Sequence, residues 1–300
     1  MLSINPKEIT TARLHAYLLG SVAPRPIAFA STVDEQGNPN LSPFSFFNVF
    51  SSNPPTLIFS PARRVRDNTI KHTLENALST KEVVINVVSY DMVQQMSLSS
   101  VEYPKGVNEF TKSGFTALAS EKVKPFRVKE SPVQFECVVK DVIALGTEGG
   151  AGNLILCEIV MFHINENILN EAGHIDPHKI DLVARMGNDF YCRASGDAVF
   201  EVAKPNTKPA IGYDAIPEYI RNSEILSANN LGQLGNIEHL PDAAAIEELK
   251  TNEDVKDILN RMHNDREGLC HHLFLLAKDL LSQLQVEQAW KVLLLAKEYC

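Results

Sequence analysis

The chain has one tryptophan, five cysteines and little positive charge, and each shortage removes a class of protein. Lys and Arg number 28 against 37 Asp and Glu, giving a formal net charge of -9. A general nucleic-acid binder carries a basic excess, and an acidic surface does not adhere to anionic membranes. No apolar run approaches the roughly 20 residues that a spanning helix needs. The start, Met1 to Glu8, lacks a basic stretch followed by an apolar core, so no signal peptide is read and a cytoplasmic location is expected. Cys137, Cys157, Cys192, Cys270 and Cys300 are odd in number and widely spaced. They contain no C-x-x-C pair, which argues against a zinc ribbon or a disulfide framework and leaves reduced thiols as the expectation. G-x-S-x-G, H-E-x-x-H, P-loop and G-x-G-x-x-G signatures are all missing. Among His174, Asp176 and His178, Gly173 and Pro177 break the helix that metal ligation would need, so no metal is expected. Cys270, His271 and His272 are adjacent and do not share a helix face.

What is present is mostly β in the first 200 residues. A short helix is expected up to Gly20, a strand over Pro26–Val33, a turn over Asp34–Asn38 and a strand over Thr56–Ser60. Periodicity predicts a helix from Asn68 to Ser79, a strand from Glu82 to Val88 and a second short helix from Asp91 to Ser99. Two long strands, Val133–Leu145 and Asn153–Ile164, are joined by a glycine-rich loop expected to be flexible. Helices do not alternate regularly with strands, which favours a Greek-key barrel over a doubly wound sheet. Residues 204–241 are aperiodic and are expected to form an extended arm or linker. Residues 242–300 carry apolar stripes at helical spacing and form a helical extension, expected to bury those stripes on the barrel or on a partner chain. The resulting division is 1–203, 204–241 and 242–300.

Three local signals carry chemistry. Ser42 to Ser51 interleaves four phenylalanines with Ser45 and Asn48, which suits a flat heteroaromatic ring, although core packing accounts for phenylalanines equally well. Arg63, Arg64, Arg66, Lys71 and His72 cluster beside a predicted helix start, where Asp67 or Asn68 would cap. Free amides and a partial positive charge there suit a phosphate. Arg25 stands between Pro24 and Pro26, whose stiff backbone fixes its direction. Together these point to a phosphorylated planar cofactor, FMN.

In order along the chain, Gly20–Thr32, Asn40–Asn48, Pro54-Pro55, Lys71–Asn76, Gly152–Val160 and Val183–Tyr191 resemble the flavin reductase-like FMN-binding family, in its flavoredoxin branch. The resemblance covers about residues 15–195. It implies a fold that is mainly β with α, a six-stranded Greek-key split β-barrel, and a homodimer with FMN near the subunit interface. By the same resemblance Ser31, Thr32, Lys71 and Thr73 hold the phosphate. Ser45, Phe46, Phe47 and Asn48 line the ring, Arg25 contributes nearby, and Arg185 closes the site. Two departures stand out: His72 replaces the aspartate of a Lys-Asp-Thr pattern, and Asn188 replaces the second glycine of Arg-x-Gly-Gly. Asn tolerates left-handed geometry, so that turn is expected to survive.

The implied activity is hydride transfer from NAD(P)H to the flavin and onward to a small-molecule or protein acceptor. No side chain need act as acid or base, since the flavin supplies the chemistry. The alternative is an FMN electron-transfer protein without efficient NAD(P)H turnover.

Overall fold

The computed structural model describes residues 1–204, 209–262 and 264–300. The chain divides into two compact units, Met1–Phe200 and Glu201–Cys300.

The first unit is built on one antiparallel sheet of seven strands in the order β2-β1-β5-β8-β9-β4-β3. Its members are β1 (Ala28–Val33), β2 (Pro39–Phe44), β3 (Phe47–Ser52), β4 (Pro55–Phe59), β5 (Glu82–Asn86), β8 (Val133–Ala144) and β9 (Asn153–Ile164). Two-residue strands β6 (Ala117–Leu118) and β7 (Arg127–Val128) pair with each other, as do β10 (Val183–Arg185) and β11 (Tyr191–Arg193). The six-stranded barrel expected from the sequence is thus a seven-stranded sheet whose outer strands, β2 and β3, are not paired together. The extra strand arises because the aromatic block breaks at Ser45–Phe46, ending β2 at Phe44 and starting β3 at Phe47.

β1 is buried along its whole length because both sheet faces are covered. Ala28 and Ala30 face a cluster with Phe59, Val83 and Ile85, roofed by Leu74 and Ala77 of helix α2 (His72–Thr80). Phe29 faces a second cluster with Leu41, Met92, Met96 and Phe110. The period-2 alternation of a strand therefore feeds two cores. Around the sheet lie α1 (Thr11–Ser21), α3 (Val93–Leu98) and α4 (Glu109–Ser113).

Several boundaries differ from expectation. α1 runs through Gly20 and stops before the cis Ala23-Pro24 bond. α2 begins at His72 rather than Asn68, because Asn68 sits at φ +56° and cannot join a right-handed helix. Neither Asp67 nor Asn68 caps it: Lys71 occupies the N-cap position without a side-chain bond. Asp91 and Met92 belong to a 3₁₀ turn ahead of α3. The glycine-rich loop is braced rather than free. Arg63 N–H donates to Ala151 O (2.8 Å), and Gly150 N–H donates to Arg63 O (2.9 Å). A Cβ on Gly149 would lie 3.0 Å from Arg64 O, so a bare backbone is what lets the two loops meet.

The second unit is helical: α5 (Glu218–Arg221), α6 (Ala228–Gly235), α7 (Ala243–Leu249), α8 (Glu253–Arg261), α9 (Arg266–Ser282) and α10 (Val286–Ala296). Ser227, Asp242, Asn252 and Asp265 cap α6 to α9. This unit buries its stripes in its own core, centred on Trp290, Leu273, Leu293 and Leu234, which corrects the expectation that they need the barrel or a partner. The described part of 204–241 is not an extended arm, since Ile216, Ile220, Leu231 and Leu234 enter that core. Residues 205–208 of that stretch lie outside the described residues. Trp290 Nε1 donates to Leu234 O at 2.9 Å, tying α10 to α6.

Cys270 and Cys300 form a disulfide, with Cα atoms 5.4 Å apart, against the expectation of reduced thiols. Sequence spacing hid this pair because the α9–α10 hairpin brings together residues 30 apart. Cys137 and Cys157 are buried free thiols, both pushed up by burial.

Candidate functional site

Lys71 and Thr73 meet where the basic loop turns into α2. With Asn40, Ser42, Arg64, His72 and the segment Ser99–Tyr103 they line a niche of about 30 Å³, on the scale of one small polar group rather than a ring. Thr73 is buried, and its hydroxyl accepts from Asn40 Nδ2 at 2.9 Å, leaving its own proton to donate. The same Asn40 amide donates to Thr32 Oγ1 at 3.0 Å, and Asn76 Nδ2 donates there at 3.1 Å. Thr32 thus stands behind the niche and positions its amide.

The Lys71 ammonium lies 5.7 Å from the Phe44 ring centroid. Burial, and then the Arg64 charge, hold its pKa below the ordinary lysine value. Two cations held close and partly dry gain from an anion between them. Arg64 is fixed by Thr69 Oγ1 and Ile70 O, both at 2.8 Å, and by Glu102 at 2.8 Å. Glu102 also pairs with Arg66, and these hydrogen bonds hold its carboxyl below the usual range. Glu109 closes the far wall, accepting from Leu41 N–H at 3.1 Å, and burial raises its carboxyl.

The remaining predicted residues lie elsewhere. Ser31 follows strand alternation onto the face opposite Thr32, so both side chains cannot serve one phosphate. Its hydroxyl is fully buried without a hydrogen-bond partner. Arg25, 5% exposed, spends its guanidinium on the carbonyls of Leu19 and Val22 (2.6 Å each) and Met186 (2.9 Å). Its Nε reaches Ser45 Oγ at 3.4 Å. Arg25 is therefore a brace among α1, the Ser45 corner and the Met186 turn, and its donors are not free for an anion. Phe46 packs edge-on to His15 of α1, with centroids 6.2 Å apart. Phe47 packs against the Ala28 cluster, and Asn48 is exposed with its side-chain oxygen on Val49 N–H. The expected ring-lining set is thus split between core, corner and surface.

Arg185 pairs backbone to backbone with Arg25 (2.9 and 2.8 Å). Its guanidinium lies 4.7 Å from the Tyr191 centroid, in a separate cleft of about 360 Å³ shared with Tyr90, Gln94 and Arg193. The turn beside it survives the departure from glycine, since Asn188 adopts φ +52°. A Cβ on Gly187 would lie 3.3 Å from Gly20 Cα, which explains the glycine retained there.

Sequence reasoning passed over Asn40, Glu102 and Glu109. Asn40 was legible in principle, being the cross-strand partner of Thr32. The two glutamates arrive from a loop and a helix with no local signal.

An antiparallel sheet with a cationic niche beside a helix start suits a phosphorylated ligand. A family model described as Flavin reductase like domain matches residues 19–179, more than half of the chain. The chain belongs to the flavin reductase like family. An uncharacterized protein of Aquifex aeolicus is 37% identical over 196 residues, covering 65% of this chain and 97% of that one. The crystal structure of nitrilotriacetate monooxygenase component B from Bacillus cereus is 30% identical with a TM-score of 0.63, covering 67% of this chain and 98% of its own. A putative flavin reductase with a split barrel domain from Shewanella frigidimarina is 25% identical with a TM-score of 0.57, covering 68% and 100%. These place the chain among flavin-related oxidoreductases. The family match holds every predicted site residue except Arg185 and ends before the helical unit. Among the described residues no helix is long and apolar enough to cross a membrane.

Proposed function

We propose that the protein binds FMN and acts as a cytoplasmic NAD(P)H:flavin oxidoreductase, passing electrons to a small-molecule or protein acceptor. One observation carries this reading: Lys71, Arg64 and Thr73 converge at the uncapped start of α2. That donor set fits a phosphate, because two cations and a hydroxyl face the same small space as helix amides. When bound, the flavin accepts hydride and releases electrons, which is chemistry no side chain here supplies.

The chain's own part is to hold and orient. Lys71 and Arg64 would neutralise the phosphate, and the Thr73 hydroxyl would be free to donate to it. Asn40 and Asn76 fix Thr32 and Thr73, so the hydroxyls do not reorganise on binding. Glu102 anchors Arg64 from within the same niche.

A homodimer is part of the proposal. β3 leaves Phe50 63% exposed, and alternation along β9 leaves Val160, Phe162 and Ile164 on one open face. Exposed apolar side chains on β3 and β9 mark an association surface.

The test is an absorption titration with FMN under nitrogen, followed by mixing with NADPH and NADH. Bands that appear on titration and bleach on mixing support the reductase. Bound flavin that stays oxidised leaves the electron carrier, and no binding overturns the reading.

A further inference from the structure

We propose that the Cys270–Cys300 disulfide is a thiol-exchange site that works as a reversible clasp on the helical unit, fixing Tyr299 and Cys300 in the wall of an aromatic cleft. The proposal does not depend on flavin binding, because every residue it uses lies beyond residue 200.

Three observations meet at this bond. The first is access. Cys300 is exposed and Cys270 half-buried, whereas Cys137 and Cys157 are sealed in the sheet core. A thiolate in solution can reach the Cys300 sulfur.

The second is that the core does not need the bond. Leu273, Phe274, Ala277 and Leu281 of α9 already pack in one buried cluster with Ala289, Trp290, Leu293 and Ala296 of α10. What the disulfide holds is the turn after α10. Its other side-chain tethers are light: Arg266 donates to the carbonyls of Tyr299 (3.1 Å) and Glu298 (3.0 Å), and Lys250 reaches Glu298 at 3.5 Å. Tyr299 also packs on the helical core, and Cys300 N–H donates to Ala296 O at 3.1 Å, so opening the bond frees the Cys300 side chain and loosens the end of the turn, not the helices.

The third is what the turn lines. Tyr219, Ile225, Phe274 and Tyr299 line an open cleft of about 700 Å³, with both cysteines in its wall. A reducible bond thus fixes one wall of an aromatic cleft.

The chemistry balances with a thiol as co-reactant. A thiolate R–S⁻ attacks the Cys300 sulfur, forming a mixed disulfide and expelling the Cys270 thiolate, which takes a proton. A second R–S⁻ attacks the mixed disulfide, releasing R–S–S–R and the Cys300 thiolate. Two thiols are oxidised, one protein disulfide is reduced, and oxidised R–S–S–R reverses the sequence.

The full chain is held in glutathione buffers from oxidised to reduced without denaturant, then alkylated with iodoacetamide and mapped by mass spectrometry. Helical circular dichroism and the fluorescence of 1-anilinonaphthalene-8-sulfonate are followed in parallel. The expected result is that Cys270 and Cys300 become labelled together while Cys137 and Cys157 do not. Dye fluorescence changes several-fold and the helical signal persists. The double variant Cys270→Ser, Cys300→Ser, in the oxidised buffer, is expected to show the dye signal of the reduced protein and no response to glutathione. Labelling only after the helical signal is lost would make the bond purely structural and overturn the clasp. Full labelling of Cys270 and Cys300 in oxidised buffer, an unchanged dye signal on reduction, or a double variant that still responds would each overturn it as well.

Discussion

Among the described residues, every buried polar or charged side chain lies between Arg25 and Asn153, whereas the buried side chains beyond residue 200 are all apolar. The sheet unit encloses Thr32, Asn40, Thr73, Asn76, Asn86 and Glu136, each hydrogen-bonded. In the helical unit Trp290 and Tyr219 turn their polar tips to backbone, at Leu234 O and Leu293 O. Burying a polar group is unfavourable unless it is paired, and a partly satisfied network is worse than an apolar core. The contrast teaches that the sheet unit tolerates this liability where it gains a preset polar niche, while the interior of the helical unit is organised for cohesion.

The comparison breaks most visibly at Trp290. Trp290→Ala removes the largest fully buried side chain of the helical core and is expected to destabilise that unit by about 3–5 kcal/mol. Thermal melts should lose the helical transition while FMN affinity stays within about twofold by titration calorimetry. A parallel fall in FMN affinity would show that the units are not separable. Next is Lys71→Ala, where loss of a charge-assisted bond is expected to cost about 1.5–3 kcal/mol of FMN binding, roughly 10- to 150-fold in Kd. The helical melt should not move, and an unchanged Kd would remove Lys71 from the phosphate site.

Ser31→Ala sharpens the contrast from the other side. Its hydroxyl is buried and unpartnered, so removal is expected to stabilise the sheet unit by about 1 kcal/mol in denaturant unfolding. FMN affinity should not change, and a clear drop would make Ser31 a ligand contact after all.

The smallest effect is a pH dependence. Burial, and then Arg64, depress Lys71 below its ordinary value of 10.5, and only the ammonium form attracts phosphate. FMN affinity should therefore fall as the pH rises through that depressed value, earlier than an ordinary lysine would allow. Lys71→Arg, always charged, should flatten the profile.

How much of this was legible can be judged at particular residues. The long strands ending near Ala144 and Ile164 and the core strand from Glu82 were visible because β-branched runs bounded by turn residues leave little choice. Lys71 and Thr73 were legible because niche and motif coincide in one short segment. The Ser45–Phe46 break was not, since apolar content is the same on both sides of the corner and a bend from one strand into the next leaves no mark in periodicity. Asn68 offered a helix-capping residue type, yet its left-handed backbone ends a turn instead, a choice made by its bonds to Arg63 and Thr147. Ser31 and Thr32 were assigned together through resemblance, although strand alternation alone separates them. Glu102, Glu109 and the Cys270–Cys300 pair depend on long-range closure, which local spacing does not encode.

The bracing of Arg63 and Asn68 by the β8–β9 hairpin loop has a consequence for how this protein can change. A cofactor that meets a loop already ordered spends none of its binding energy on freezing it. Lengthening the hairpin after Gly149 would return that disorder to the basic loop and weaken the grip on an anion, with every residue of the niche intact. Affinity is thereby adjustable from a point nearly eighty positions away in the chain, and two copies of this gene could diverge in cofactor retention through loop length alone.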